Sequence, residues 1–170
     1  VEIMWIIDNF LPDSLYQDLK SLILGDNIEW NYCPGATYKD QHDEFYFVHS
    51  VIAENYTSPH FKDIKPILYF MDDKLGFVIN KIIRINCTLT TNQGVRKRTA
   101  MHIDFDEPHY TGIYYINDNN GPTVVEDTEV ECVANRFLLF EGSKMHSGTL
   151  QDDCHARVNI VFNMQGFFRK

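Results

Sequence analysis

Tyr110-Thr111-Gly112-Ile113-Tyr114-Tyr115-Ile116, Thr123-Val124-Val125-Glu126, Glu129-Val130-Glu131-Cys132-Val133 and Arg136-Phe137-Leu138-Leu139-Phe140 follow one another within residues 110–140. Each run is short and rich in β-branched or aromatic side chains, the composition that suits a pleated, half-buried surface. Asn117-Asp118-Asn119-Asn120-Gly121-Pro122 and Glu141-Gly142 punctuate them, and such clusters form turns. No helical periodicity interrupts the series, which disfavours a doubly wound α/β sheet.

Further strands are expected outward from this stretch, at residues 77–89 and 100–105 before it and 144–150 and 156–164 after it, with Thr91-Asn92-Gln93-Gly94 as a turn. The residues before them read differently. Asp8-Asn9-Phe10-Leu11-Pro12-Asp13 is a helix start; Leu15, Leu19, Leu22 and Ile23 share a face, and Gly25 is the stop. A second helix is expected over residues 66–75, with Pro66 in its first turn and Gly76 beyond its end. The expected fold is mainly β (α+β). A jelly roll (double-stranded β-helix) or a barrel occupies residues 77–170, helices from residues 1–76 pack outside it, and one domain spans residues 1–170.

The composition narrows the function. Lys plus Arg number 15 against 24 Asp plus Glu, a net charge of −9, so the basic footprint of a nucleic-acid binder is missing. At 44% hydrophobic and 14% aromatic residues the chain can build a core and is not disordered. The longest apolar run is Ile67-Leu68-Tyr69-Phe70-Met71, far short of the ~20 residues a membrane span needs, and no secretory signal is visible. Cys33, Cys87, Cys132 and Cys154 show neither paired spacing nor a zinc pattern. They read as free, mostly buried thiols in a reducing, cytoplasmic setting.

His102-Ile103-Asp104 lies in an expected strand, where residues i and i+2 emerge on one face. Alone, such a pair reads better as a salt-bridged surface pair. Support comes from the C-terminal part. If residues 144–150 and 155–162 form a hairpin centred between Gln151 and Asp152, His146 stands opposite Arg157, with Cβ atoms roughly 5 Å apart. Two histidines and one carboxylate that leave open positions suit a non-haem Fe(II) centre, and an arginine fork grips a carboxylate through two hydrogen bonds. Together they would hold a small keto-diacid on iron.

These residues resemble the Fe(II)/2-oxoglutarate-dependent dioxygenases, above all the prolyl-4-hydroxylase-like branch. The family's His-x-Asp, distal His and basic residue about ten positions later correspond to His102-x-Asp104, His146 and Arg157. Ile113-Tyr114-Tyr115-Ile116-Asn117 is similar to the branch's Tyr-Leu-Asn strand, and Gly121-Pro122-Thr123 to its Gly-Gly-x-Thr; the resemblance implies that Tyr115 and Thr123 face the cosubstrate. Arg136-Phe137-Leu138-Leu139-Phe140 resembles the strand leading to the distal histidine, and Ile7-Asp8-Asn9-Phe10-Leu11 the family's entry segment. Arg157-x-Asn159 resembles the alkylation-repair members instead, in which the Asn reaches the metal-binding end of 2-oxoglutarate; Asn86 sits where that group places another polar contact, and Arg84 could replace it.

The resemblance implies an enzyme. Its cofactors would be Fe(II) as metal on His102, Asp104 and His146, 2-oxoglutarate as cosubstrate clamped by Arg157, O2, and ascorbate. Oxidative decarboxylation of 2-oxoglutarate would be coupled to hydroxylation of a protein or peptide side chain such as proline. Arg in place of the Lys of collagen-type members argues against a collagen-like substrate, and Gly-Pro replaces Gly-Gly before Thr123. The compact size resembles small bacterial or phage-encoded members, the latter acting in a host cytoplasm. Rival readings are a nucleobase-modifying dioxygenase and a non-catalytic, cupin-like metal- or ligand-binding module. Three further expectations concern the periphery: His109 and His155 face solvent, Arg96-Lys97-Arg98 is a solvated loop placed to steer an acidic substrate, and residues 37–58 cover the site.

Overall fold

A computed structural model describes residues 4–35 and 45–170. The chain opens with β1 (Trp5–Ile7) and α1 (Asp13–Ile23), followed by β2 (Asn31–Cys33), β3 (Tyr46–Ala53) and β4 (Tyr56–Thr57). The one-turn α2 (Phe61–Ile64) and α3 (Pro66–Leu75) complete the helices. Seven strands follow: β5 (Phe77–Thr91), β6 (Tyr110–Tyr115), β7 (Asn119–Val125), β8 (Thr128–Cys132), β9 (Phe137–Glu141), β10 (His146–Gly148) and β11 (Ala156–Phe168). They form two antiparallel sheets. The larger runs β1-β9-β6-β11-β5-β3-β2, with β4 paired to β3, and the smaller runs β10-β7-β8. The architecture is the expected jelly roll with helices outside.

Side-chain alternation explains how the layers separate. On β5 and β11, Ile85, Cys87, Val158, Ile160 and Phe162 face outward and join Phe10, Tyr16, Leu19, Ile23, Ile67 and Met71 in one buried cluster under the helices. From β6 and β9, Ile113, Tyr115, Leu138 and Phe140 face inward and meet Val125, Val130 and Cys132 of the small sheet. The inward residues of β5 and β11 are instead polar: Arg84 pairs with Asn163, Thr88 with Asn159 and Thr90 with Arg157. A sandwich interior polar at one end is arranged for a ligand.

Helix α3 matches its expected bounds, and Gly76 closes it at φ 64°, a left-handed conformation that glycine adopts without strain. The buried face of α1 keeps Leu19 and Ile23 as expected but takes Tyr16 in place of Leu15. Tyr16, Leu19 and Ile23 are buried while Leu15 is exposed, because the Tyr16 hydroxyl reaches inward to donate to the Ile116 carbonyl (3.0 Å). Residues 1–76 are also less helical than expected: β3 pairs with β5, and β1 pairs with β9. Residues 46–53, expected within a cover over the site, are therefore sheet; residues 37–44 of that segment lie outside the described residues.

Two expectations about the site strands are corrected. Residues 100–105 form no strand: His102 makes an isolated bridge to His146, and Asp104 lies in a bend. Residues 144–150 and 155–162 form no hairpin. Strand β10 pairs with β7, placing His146 opposite Val125, whereas β11 pairs with β5 and β6 in the other sheet. The connection between them crosses from one sheet to the other, tied down where Gln151 donates to the Thr90 carbonyl (2.9 Å) and the Asn92 amide to the His155 carbonyl (2.8 Å). Those bonds anchor the connection to the end of β5 and satisfy the backbone groups they join. No helix among the described residues is long and apolar enough to cross a membrane.

Candidate active site

A cavity of ≈ 470 Å³ opens at the polar end of the interior, within the range of small-ligand sites. His102, Asp104 and His146 line it together with Arg157, Thr123, Asn159 and Asn86. All of the sequence-predicted site residues except Tyr115 are thus gathered on one cavity, from five separate stretches of chain.

The two histidines meet through their backbones. Each amide donates to the other's carbonyl at 2.9 Å, which brings the ring centroids to 4.6 Å. His102 Nδ1 lies 3.2 Å from the Ala100 carbonyl and His146 Nδ1 lies 3.1 Å from that of Lys144. A carbonyl only accepts, so each Nδ1 carries the proton and each Nε2 presents its lone pair, the arrangement that orients metal-binding imidazoles. Both lone pairs converge on Asp104: His102 Nε2 is 3.8 Å from Oδ1 and His146 Nε2 is 3.5 Å from Oδ2. Ligand atoms bound at about 2.1 Å to one ion stand about 3 to 4 Å apart. One ligand atom from each residue falls within 4.8 Å of the others, so the set fits a single cation, whose charge would relieve the facing lone pairs.

The electrostatics agree with a ligand role. Burial and the neighbouring His146 push the His102 imidazole down from its ordinary value, keeping it neutral near pH 7. Burial pushes the Asp104 carboxyl up, but His146 when it is protonated, together with Arg84 and Asn163, outweighs it and holds the group below the usual carboxylate range. Arg84 and Asn163 make direct bonds to Asp104, at 2.9 and 2.8 Å. Sequence reading assigned neither this role; the polar alternation of Arg84-x-Asn86-x-Thr88-x-Thr90 and, broken only at Val161, of Arg157-x-Asn159-x-Val161-x-Asn163 puts both side chains on the interior face but does not name their partner.

Arg157 is 7% exposed. Its Nε donates to the Gly121 carbonyl (2.8 Å), Nη1 to Asn159 Oδ1 (3.1 Å) and Nη2 to Thr123 Oγ1 (3.0 Å). A guanidinium has five N–H groups, so one on each terminal nitrogen stays available. No carboxylate among the described residues lies within ion-pair distance of it. A buried cation lacking a counter-charge is costly, and a fork facing a cavity is suited to a carboxylate ligand. Gly148 lies against this fork: a Cβ there would sit 3.5 Å from Arg157 Nη1.

Tyr115 stands one layer behind. Its hydroxyl donates to Thr123 Oγ1 at 2.8 Å, fixing the hydroxyl that accepts from Arg157, and burial pushes its phenol upward. Asn159 turns its carbonyl oxygen to Arg157, while the buried Asn86 Oδ1 has no partner. His109, expected at the surface, is buried; its Nδ1 is 2.7 Å from the Glu107 carbonyl and its ring packs on Phe105 and against Gly142. His155 is exposed, as are Arg96, Lys97 and Arg98. The four cysteines are free thiols, and burial pushes Cys87 up to about 12.

No protein-family model matches the sequence, and no curated protein does. Solved structures do match. A prolyl hydroxylase from Trichoplax adhaerens, in complex with a hypoxia-inducible-factor peptide fragment, superposes with a TM-score of 0.65 at 15% identity, over 95% of this chain and 82% of that one. A prolyl-4-hydroxylase from Pseudomonas putida gives 0.63 at 11% identity, over 97% and 94%. The fold is that of the 2-oxoglutarate–Fe(II) oxygenases. HygX from Streptomyces hygroscopicus, solved with nickel and 2-oxoglutarate bound, shares this oxygenase fold at a TM-score of 0.64 and 13% identity, over 98% and 84%. At such identities the likeness is one of fold, prolyl-4-hydroxylase-like in form. The chemistry rests on this chain's own residues.

Proposed function

We propose that this protein is a 2-oxoglutarate-dependent Fe(II) dioxygenase that hydroxylates a protein or peptide side chain such as proline. The observation that carries the reading is the pairing, on one cavity, of a two-histidine, one-carboxylate cluster with a buried guanidinium that has no acid partner among the described residues. Such a triad with open positions is the donor set of non-haem Fe(II). The metal and 2-oxoglutarate held by HygX, and the peptide held by the Trichoplax enzyme, support the same assignment.

His102, Asp104 and His146 would hold the ion, and Arg157, steadied by Thr123, Tyr115 and Asn159, would hold the distal carboxylate of 2-oxoglutarate. Asn86 offers a free acceptor between them. Bound iron with its keto acid supplies the oxidising chemistry, by decarboxylation of the acid with O2. The chain orients both ends of the acid and surrounds the site with sheet that limits water. At the mouth, Ile103 and Met145, 38% and 44% exposed, line the cavity with Phe45 and Tyr46. That apolar rim supports a substrate presenting an apolar group, and it disfavours a nucleobase, whose backbone phosphates call for basic residues. A cupin-like binder would have no use for the free fork on Arg157.

The test is anaerobic addition of Fe(II) and 2-oxoglutarate, followed by O2 and candidate peptides. A visible charge-transfer band, succinate formation and a 16-Da gain on a peptide are expected, with succinate abolished in Asp104→Ala. A folded protein without the band, or full turnover in Asp104→Ala, overturns the reading.

A further inference from the structure

Asp104 is engaged at both oxygens by the protein itself. Arg84 Nη2 donates to Oδ1 at 2.9 Å, and Asn163 Nδ2 donates to Oδ2 at 2.8 Å. The two donors are also tied to each other, because Arg84 Nε donates to Asn163 Oδ1 at 3.1 Å. The three side chains close a ring of hydrogen bonds. Tertiary structure braces that ring from several directions. Arg84 and Asn163 are direct partners in the β5–β11 register, Thr111 Oγ1 of β6 lies 3.3 Å from Asn163 Nδ2, and the Arg84 guanidinium carbon sits 4.8 Å from the Phe105 ring centroid. The Asp104 side chain is only 10% exposed, so water does not readily replace a lost donor.

A carboxylate can bind an ion through one oxygen or through both. Aiming both oxygens of Asp104 at a single ion would turn the group off at least one of its donors, leaving the charged N–H of Arg84 or the amide N–H of Asn163 without its acceptor in a half-buried site. We propose that Arg84, acting with Asn163, confines Asp104 to a single donor oxygen and so preserves an open coordination position on the ion. The inference rests on the metal-site reading above. Its consequence is a matter of counting. An octahedral ion held by three single donors keeps three positions open; a chelating keto acid fills two, and one remains for O2. If Asp104 supplies both oxygens, the keto acid fills the last two and none remains. Arg84 is a positioning residue in this scheme.

Nitric oxide reads the open position without turnover, through the paramagnetic resonance of its adduct with Fe(II). Wild type, Arg84→Met and Arg84→Lys are compared anaerobically, each with and without 2-oxoglutarate. Wild type is expected to give the signal in both states. Arg84→Met should match it without 2-oxoglutarate and lose about tenfold or more with it, the order of effect that outer-shell partners of metal ligands exert, while the charge-transfer band persists. Arg84→Lys, whose ammonium keeps the charge without the planar fork, should recover part of the signal. Should Arg84→Met fail to fold, Asn163→Ala, which frees the other oxygen, should show the same split. A full signal in Arg84→Met with 2-oxoglutarate overturns the proposal. A signal lost equally in both states also overturns it, since Arg84 would then only support the fold or the metal affinity. Absence of both band and signal in wild type instead removes the metal-site reading, and the inference with it.

Discussion

Arg157 shows how a single residue acquires a function from what surrounds it. Its three protein partners are neutral acceptors, a carbonyl, an amide and a hydroxyl, so its positive charge is oriented but not neutralised. Arg157→Ala should weaken 2-oxoglutarate binding by about 1.5–3 kcal/mol, the range for hydrogen bonds to charged groups, as read by calorimetric titration of the metal-loaded protein. Unchanged affinity would remove Arg157 from the role. The residue itself was legible in the sequence, because a basic position about ten residues after the distal histidine is a motif feature. Its partner Gly121, which accepts through a backbone carbonyl, was not legible in that role, since any residue supplies a carbonyl. The structure alone brought Arg84 to the carboxylate, because that bond spans a sequence separation with no repeat to mark it.

At the scale of elements, strands β5 and β11 carry the design. Their alternation places apolar residues under the helices and polar ones in the cavity, and this pattern stands in the sequence. Pairing does not. The expected hairpin between residues 144–150 and 155–162 was the simplest local solution, yet the two strands join different sheets because each finds a longer partner elsewhere. His146 and Arg157 still share the cavity, since both face the interior between the sheets. The edge strand β1 offers a measurable case of element anchoring. Just beyond it, Asp8 accepts two bonds from Arg136, from Nε at 2.6 Å and Nη2 at 3.1 Å, and Arg136 holds the Asp8 carboxyl below its ordinary value. A lowered carboxyl stabilises the fold above the unfolded value near 3.9, and the contribution vanishes as the pH falls through the folded value. Asp8 is half exposed, so the contribution is small. Asp8→Asn should cost about 0.2–1 kcal/mol at pH 7 and nothing at pH 2, compared by urea denaturation at the two pH values.

For the whole molecule, the ligand cluster joins both sheets: His146 comes from the small one, Arg84 and Asn163 from the large one, and His102 and Asp104 from the connection between β5 and β6. A divalent ion bound there would link the small sheet to that connection directly, and the large sheet only through the donors to Asp104, and it would stabilise only the folded state. At a hundredfold excess over its dissociation constant, Mn(II) should add about 2.7 kcal/mol. For a chain of this length that corresponds to a rise of roughly 5–11 °C in Tm, reversed by a chelator and absent in Asp104→Ala. A melting curve that ignores the metal would separate the three side chains from any shared ion.

Composition, alternation and turn chemistry are local properties, and they were enough for the class of fold and the extent of α3, while the motif resemblance named the candidate triad and its arginine. What they could not decide was which strand pairs with which, that Tyr16 rather than Leu15 completes the buried face of α1, or that His109 lies inside. Those outcomes depend on competition between distant segments for the same hydrogen bonds and the same buried volume, and only the folded chain resolves that competition. The grip of Arg84 and Asn163 on Asp104 belongs to the same class, a contact created when two remote strands fall into one register.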